Sequence, residues 1–140
     1  MGRQRAACFA RIEGAELVAV GSRSAASARR LAEEFAVPLW GTDPEQLADQ
    51  KRPDAVMICA PNVEHYRLIA WALERNLHVL VEGPLCNTSA QAEQLSDLAI
   101  ARQRLLEVGF QRRYHPVIQR AREAVLSGAI GPLAYGEVEF

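Results

Sequence analysis

The side chains best suited to chemistry in this sequence follow short apolar segments. Ser22 and Arg23 come after a segment that ends at Val20, and together they offer a hydroxyl and a guanidinium to a phosphate group. Residues 59–62 (Cys-Ala-Pro-Asn) follow a second segment, where small residues let the backbone approach a nucleotide. Glu82 ends a third segment and can accept hydrogen bonds from ribose hydroxyl groups. These positions are candidates for a nucleotide site.

Two of these positions also have an alternative interpretation that is purely structural. Ser22 and Arg23 fit a polar turn that leads into a helix capped by Ser24. Residues 59–62 fit an ordinary turn from a strand to a helix, with Asn62 as the capping residue of that helix. The residues alone leave both interpretations open.

The elements that must position these residues follow two alternating patterns. Four short apolar runs are typical of strands buried on both faces of a parallel sheet, namely Glu16–Val20, Asp54–Cys59, His78–Val81 and Leu105–Val108. Between them, capping residues and apolar residues at helical spacing predict helices that begin near Ser24, Asp43, Asn62, Thr88 and Pro116. The alternation of strands and helices predicts an α/β doubly wound fold.

Composition and cysteine spacing exclude several classes of protein. Sixteen basic and seventeen acidic residues leave a formal charge of −1, so no overall field favours nucleic acid or an anionic membrane. The three cysteines lie far apart with no histidine at ligand spacing, which argues against a metal site and a disulfide framework. No run approaches the roughly 18 apolar residues of a membrane span. We therefore expect a cytoplasmic protein without nucleic-acid or membrane partners.

Three longer motifs occur in order along the chain. They are Ile58-Cys-Ala-Pro-Asn62 followed by His65, then His78-Val-Leu-Val-Glu-Gly-Pro-Leu85, then Val108-Gly-Phe-Gln-Arg-Arg-Tyr-His-Pro116. Together they resemble the Gfo/Idh/MocA family of NAD(P)-dependent oxidoreductases. The resemblance implies a Rossmann domain, hydride transfer between a nicotinamide cofactor and a sugar- or polyol-like substrate, and a homo-oligomer when the protein is complete. The alternative is a non-catalytic nucleotide- or partner-binding protein of the same fold.

The resemblance also implies which residues bind the cofactor: Gly2, Ser22, Arg23, Pro61, Asn62, His65, Glu82, Gln111 and Arg113. His65 would face the nicotinamide ribose, and its alternative is a histidine on the surface of a helix. Gln111 and Arg113 would lie where the chain crosses to the substrate domain. The alternative for Arg113 is a structural ion pair with Glu107 or Glu137.

The choice of cofactor depends on Ser22. The family usually has an acidic residue at this position, which in NAD binders accepts a hydrogen bond from the ribose 2′-hydroxyl. A carboxylate would repel a 2′-phosphate, whereas the Ser22 hydroxyl beside the Arg23 guanidinium would bind it. The sequence therefore predicts NADP(H) in preference to NAD(H).

The sequence departs from the family in three ways. Aligning residues 9–14 with the family's first helix places Gly2 at the third glycine of the G-x-G-x-x-G turn. The first strand is then absent, and we expect a gap in the sheet between the strands ending at Val20 and Cys59. Gly83 stands where the family has a lysine, so we predict no catalytic residue in this chain.

The third departure concerns the second domain, of which we expect only the beginning. We assign residues 1–112 to the NADP-binding domain and residues 113–140 to the start of a substrate and oligomerisation domain, with truncation at both ends. Alternating side chains predict a strand over Leu133–Phe140 with one face exposed to solvent.

Overall fold

Six α-helices and five short β-strands alternate along residues 1–137, the part of the chain that the computed structural model describes. The helices are α1 (Gly2–Phe9), α2 (Ala25–Glu34), α3 (Pro44–Lys51), α4 (Asn62–Glu74), α5 (Ser89–Arg102) and α6 (Pro116–Leu126). The strands are β1 (Ala19–Gly21), β2 (Leu39–Gly41), β3 (Ala55–Ile58), β4 (His78–Glu82) and β5 (Leu106–Gly109), and a 3₁₀ helix (Gln111–Tyr114) precedes α6. The predicted α/β fold is confirmed.

Local capping signals begin several of the helices. The side chains of Ser24, Asp43 and Thr88 each accept a hydrogen bond from a backbone N–H two or three residues later. The prediction that Asn62 caps α4 is wrong. Pro61 occupies the cap position of α4 and provides no side-chain hydrogen bond, so Asn62 is already the first helical residue.

The strands form two sheets. β1 pairs in parallel with β2, with Ala19 opposite Leu39. β3 pairs in parallel with β4, with Ile58 opposite Val81 as the last pair, and β5 lies on the other side of β4. Within residues 1–137 no ladder joins β1 to β3, and this is where the sequence predicts a gap in the sheet.

The larger core lies where α4 and α5 pack on the β3–β4–β5 sheet. Its fully buried members include Ile69 and Leu73 of α4, Val81 of β4 and Leu95 of α5. A smaller core under α2 contains Val20, Ala32 and Val37. Burial of these apolar side chains supplies the main driving force for folding.

Three of the predicted elements differ from the structure by more than one residue. β1 begins at Ala19, three residues later than the predicted strand. α1 ends at Phe9, so residues 10–14 form turns and not the helix expected there, although the helix does begin at Gly2. Residues 133–137 contain no strand, and the rest of the strand predicted over Leu133–Phe140 lies outside the described residues.

The chain divides into two compact units. The first is Met1–Val108 and contains α1 to α5 with both sheets, and the second begins at Gly109 and contains the 3₁₀ helix and α6. The division of function between residues 1–112 and 113–140 stays a prediction. No helix within residues 1–137 is long and apolar enough to cross a membrane.

Candidate functional site

Predicted site residues of the first unit lie at the carboxyl ends of the strands. Pro61 and Asn62 follow β3 at the start of α4, and Glu82 is the last residue of β4. Because β3 and β4 are parallel and adjacent, these residues share one edge of the sheet. Gly2 begins α1 close to the same edge, since a Cβ built on Gly2 would lie 3.9 Å from Cβ of Cys59. The structure thus brings the start of α1 to the end of β3.

Glu82 has a partner that the sequence does not indicate. Its carboxylate accepts a hydrogen bond from Nε of Arg5 on α1, and the two side chains are only 12% and 21% exposed. The hydrogen bond from Arg5 to Glu82 raises the pKa of Arg5 above its ordinary value. No sequence signal joins residues that are 77 positions apart. The predicted contact of Glu82 with a ribose must therefore use lone pairs of the carboxylate that do not accept from Arg5.

His65 is completely buried on α4, so the alternative of a surface histidine is wrong. Its Nδ1 lies 2.7 Å from the carbonyl oxygen of Pro84, and its Nε2 lies 2.9 Å from the carbonyl oxygen of Ala60. Both ring nitrogens are therefore occupied by backbone. The predicted contact with a nicotinamide ribose would require His65 to give up one of these bonds.

The pKa of the Cys59 thiol reports the charged groups near the carboxyl end of β3. Burial raises the pKa of its half-buried thiol, and the carboxylate of Glu82 raises it further. Arg5 and the amino group of Met1 act in the opposite direction, which places two cationic groups within electrostatic range of the end of β3. A thiol with a raised pKa is a poor nucleophile at neutral pH, so Cys59 is not a candidate for a catalytic nucleophile.

Ser22 and Arg23 occupy the turn between β1 and α2. The backbone N–H of Ser22 donates to the carbonyl oxygen of Gly41 at 3.1 Å, which ties the end of β1 to the end of β2. Ser24 caps α2 immediately afterwards, so the polar turn of the structural interpretation is present. Arg23 is exposed at the same time, and its guanidinium is accessible to a ligand. The two interpretations are compatible.

Gln111 and Arg113 belong to the second unit, where both are exposed on the 3₁₀ helix. The carbonyl oxygen of Arg113 accepts a hydrogen bond from the side chain of Gln119 on α6. Within residues 109–137 the Arg113 guanidinium forms no ion pair with Glu137, so the alternative of a structural pair with Glu137 is wrong.

Gly83 lies between Glu82 and a cis peptide bond to Pro84, and it is exposed. It brings no side chain to the place where the resembled family has a lysine. The part of the chain that the structure describes also contains no group of three or more His, Cys, Asp or Glu residues that could hold a metal ion.

Parallel strands separated by helices, with one helix beginning beside the strand ends, define a Rossmann-type nucleotide-binding domain. The family model of the Gfo/Idh/MocA oxidoreductases, described as an NAD-binding Rossmann fold, matches residues 1–110. The chain belongs to this family.

Individual relatives agree with the family assignment. D-glucoside 3-dehydrogenase of Escherichia coli (strain K12) is 34% identical over 118 residues, which cover 84% of this chain and 34% of that protein. The crystal structure of myo-inositol 2-dehydrogenase from Lactobacillus plantarum superposes with a TM-score of 0.86 at 25% identity, over 94% of this chain and 40% of that one. A 3-ketoreductase from Actinomadura kijaniata, solved with NADP and TDP-benzene, gives a TM-score of 0.80 at 29% identity, over 88% and 38%.

This chain spans about a third of the length of the curated relatives that it matches. The relatives are sugar and polyol dehydrogenases, which does not favour the non-catalytic alternative. Membership of the family supports binding of a nicotinamide dinucleotide. It does not decide between NAD and NADP, because the family model is described as NAD-binding while the ketoreductase was solved with NADP.

Proposed function

We propose that this chain supplies the dinucleotide-binding portion of an NADP-dependent oxidoreductase that acts on a sugar- or polyol-like substrate by hydride transfer. The observation that carries the proposal is the position of Gly2, where α1 begins against Cys59 at the end of β3. α1 begins without a side-chain cap, and a helix start offers unpaired N–H groups and a positive dipole end to an anion. These properties fit the pyrophosphate of a dinucleotide.

The other predicted residues fit the two halves of the cofactor. Ser22 and Arg23 would hold the 2′-phosphate at the adenosine half, since both are donors and neither repels an anion. Pro61, Asn62 and Glu82 would lie on the nicotinamide half at the ends of β3 and β4. When bound, the nicotinamide supplies the hydride donor or acceptor, and the chain supplies binding and orientation. We propose that Gln111 and Arg113 contribute from the second unit.

Proton transfer to or from the substrate must come from groups other than those described above. Gly83 has no side chain, and both ring nitrogens of His65 are bonded to backbone carbonyl groups. We propose that the acid–base group and the substrate pocket belong to parts of the relatives that this chain does not cover. This chain then positions the cofactor and does not itself move the proton.

The choice of NADP is tested by titrating the chain with NADPH and with NADH. We expect tighter binding of NADPH, and Arg23→Ala should weaken NADPH binding by about 1.5–3 kcal/mol, the value of a hydrogen bond to a charged group. NADH binding should not change. Arg102→Ala, which removes an exposed arginine at the end of α5, is the matched control. Equal affinities of the unmodified chain for the two dinucleotides would contradict the choice of NADP, and no binding of either would contradict the proposed function.

A further inference from the structure

His65 joins two segments of the candidate site that the sheet itself does not join. The ladder between β3 and β4 ends with Ile58 opposite Val81. Ala60 and Pro84, whose carbonyl oxygens contact the imidazole, both lie beyond that last pair. His65 therefore connects the backbone after β3 with the backbone after β4 at the point where strand pairing has ended.

The chemistry of the two contacts determines what the ring must do. A carbonyl oxygen only accepts hydrogen bonds, and a neutral imidazole has one donor nitrogen and one acceptor nitrogen. The distances of 2.7 and 2.9 Å both lie within the range of N–H···O hydrogen bonds. A ring that makes both bonds carries a proton on each nitrogen.

We propose that His65 is a positioning residue that donates from both ring nitrogens and fastens residues 59–62 to residues 82–85. The bond pattern stands independently of any ligand, and its effect on the cofactor rests on the function proposed above. Those two segments contain Pro61, Asn62 and Glu82, the residues proposed to lie on the nicotinamide half. The spacing between them is then set by a side chain that does not touch the cofactor.

Two substitutions separate the two bonds. His65→Asn places an amide N–H near the position of Nδ1 and can keep the bond to Pro84, whereas His65→Gln places one near Nε2 and can keep the bond to Ala60. We expect amide hydrogen exchange to accelerate mainly in residues 59–62 for the first variant and mainly in residues 82–85 for the second. A purely structural role would accelerate exchange over α4 and its sheet alike in both variants.

Two further measurements complete the test. The ¹⁵N shifts of the His65 ring in the unliganded chain should show both nitrogens protonated, and each variant should bind NADPH and NADH about tenfold more weakly, the loss expected for one charge-assisted bond. Leu95→Ala, which opens the core at a buried position of α5, is the control for general destabilisation and should leave both affinities unchanged.

Three results would overturn the proposal: one unprotonated ring nitrogen, the same exchange pattern in the two variants, or unchanged affinities in both while the unmodified chain binds. The ¹⁵N measurement on the His65 ring needs no ligand and no variant, so it tests the proposal even where a variant fails to fold. If the unmodified chain binds neither dinucleotide, the proposed function fails, and the ring spectrum and exchange pattern still test His65 separately.

Discussion

The ion pair between Arg5 and Glu82 makes a quantitative test of how α1 is held. Ala6 is the one buried residue of α1, so apolar burial contributes little to the docking of this helix. Among the residues that the structure describes, two ion pairs connect α1 to other elements, and they differ in solvent exposure. Arg3 and Glu34 are 75% and 34% exposed, whereas Arg5 and Glu82 are 21% and 12% exposed.

The difference in exposure sets the expected magnitudes. Exposed ion pairs contribute roughly 0.2–1 kcal/mol, because water and salt screen them. Removing Arg5 would leave the carboxylate of Glu82 largely buried without its donor, and a buried polar group left unsatisfied costs roughly 1–3 kcal/mol, with charged groups at the upper end. We therefore expect Arg5→Met to lower the free energy of opening of α1 by about 1–3 kcal/mol and Arg3→Met to lower it by less than about 1 kcal/mol.

Native-state amide hydrogen exchange measures the opening of α1 without requiring global unfolding. A double-mutant cycle of Arg5→Met with Glu82→Gln isolates the coupling between the two side chains, and the cycle of Arg3→Met with Glu34→Gln on the same helix is the matched control. We expect a clearly larger coupling energy for the first cycle. Equal coupling energies in the two cycles, or unchanged protection of α1 in Arg5→Met, would refute the argument from burial.

Two further predictions concern reactivity. Because burial raises the pKa of the Cys59 thiol, a maleimide should react first with exposed Cys8. The reaction rate at Cys59 should keep rising at pH values where an ordinary thiol has already ionised. Pulse labelling followed by mass spectrometry measures both rates. The contribution of the Cys59 thiol to the free energy of unfolding is fully present below its pKa in the unfolded chain. This contribution is lost as pH rises through its raised pKa in the folded chain. We also expect the 140-residue chain to reduce no NADP⁺ with any of a panel of sugars and polyols, because Gly83 supplies no side chain. The assay follows the absorbance of the reduced nicotinamide. Absorbance above that of a heat-denatured control would show that a catalytic residue lies elsewhere in this chain.

The helices could be predicted because their signals are local. Ser24, Asp43 and Thr88 bond to backbone groups within three residues, so each signal and its effect lie in one short window. β2 could not be predicted in the same way. It has only three residues, and Pro38 interrupts the apolar stretch before it, so only its pairing with β1 defines it.

The candidate site could be predicted in outline and not in its internal bonds. Residues that follow a strand can be recognised from the sequence, which is why the sequence points to Ser22, Pro61 and Glu82. The acceptors of His65 are backbone carbonyl groups, which every residue has, so no residue type marks them. The partner of Glu82 lies on a helix 77 positions away and is brought to it only by the packing of α1.

These bonds divide the site into residues that shape it and residues that would touch the ligand. The hydrogen bonds of the His65 imidazole and the ion pair of Arg5 form without any cofactor. The free energy needed to order the ends of β3 and β4 is therefore already spent in the free chain. More of the contact energy with a ligand then appears as binding affinity. Such shaping residues act on every ligand that uses the edge. Loss of a His65 bond should therefore weaken NADPH and NADH by the same factor, whereas Arg23→Ala should weaken only the dinucleotide that carries the 2′-phosphate. The ratio of the two affinities thus distinguishes a positioning residue from a contact residue, because only a direct contact with the phosphate changes it.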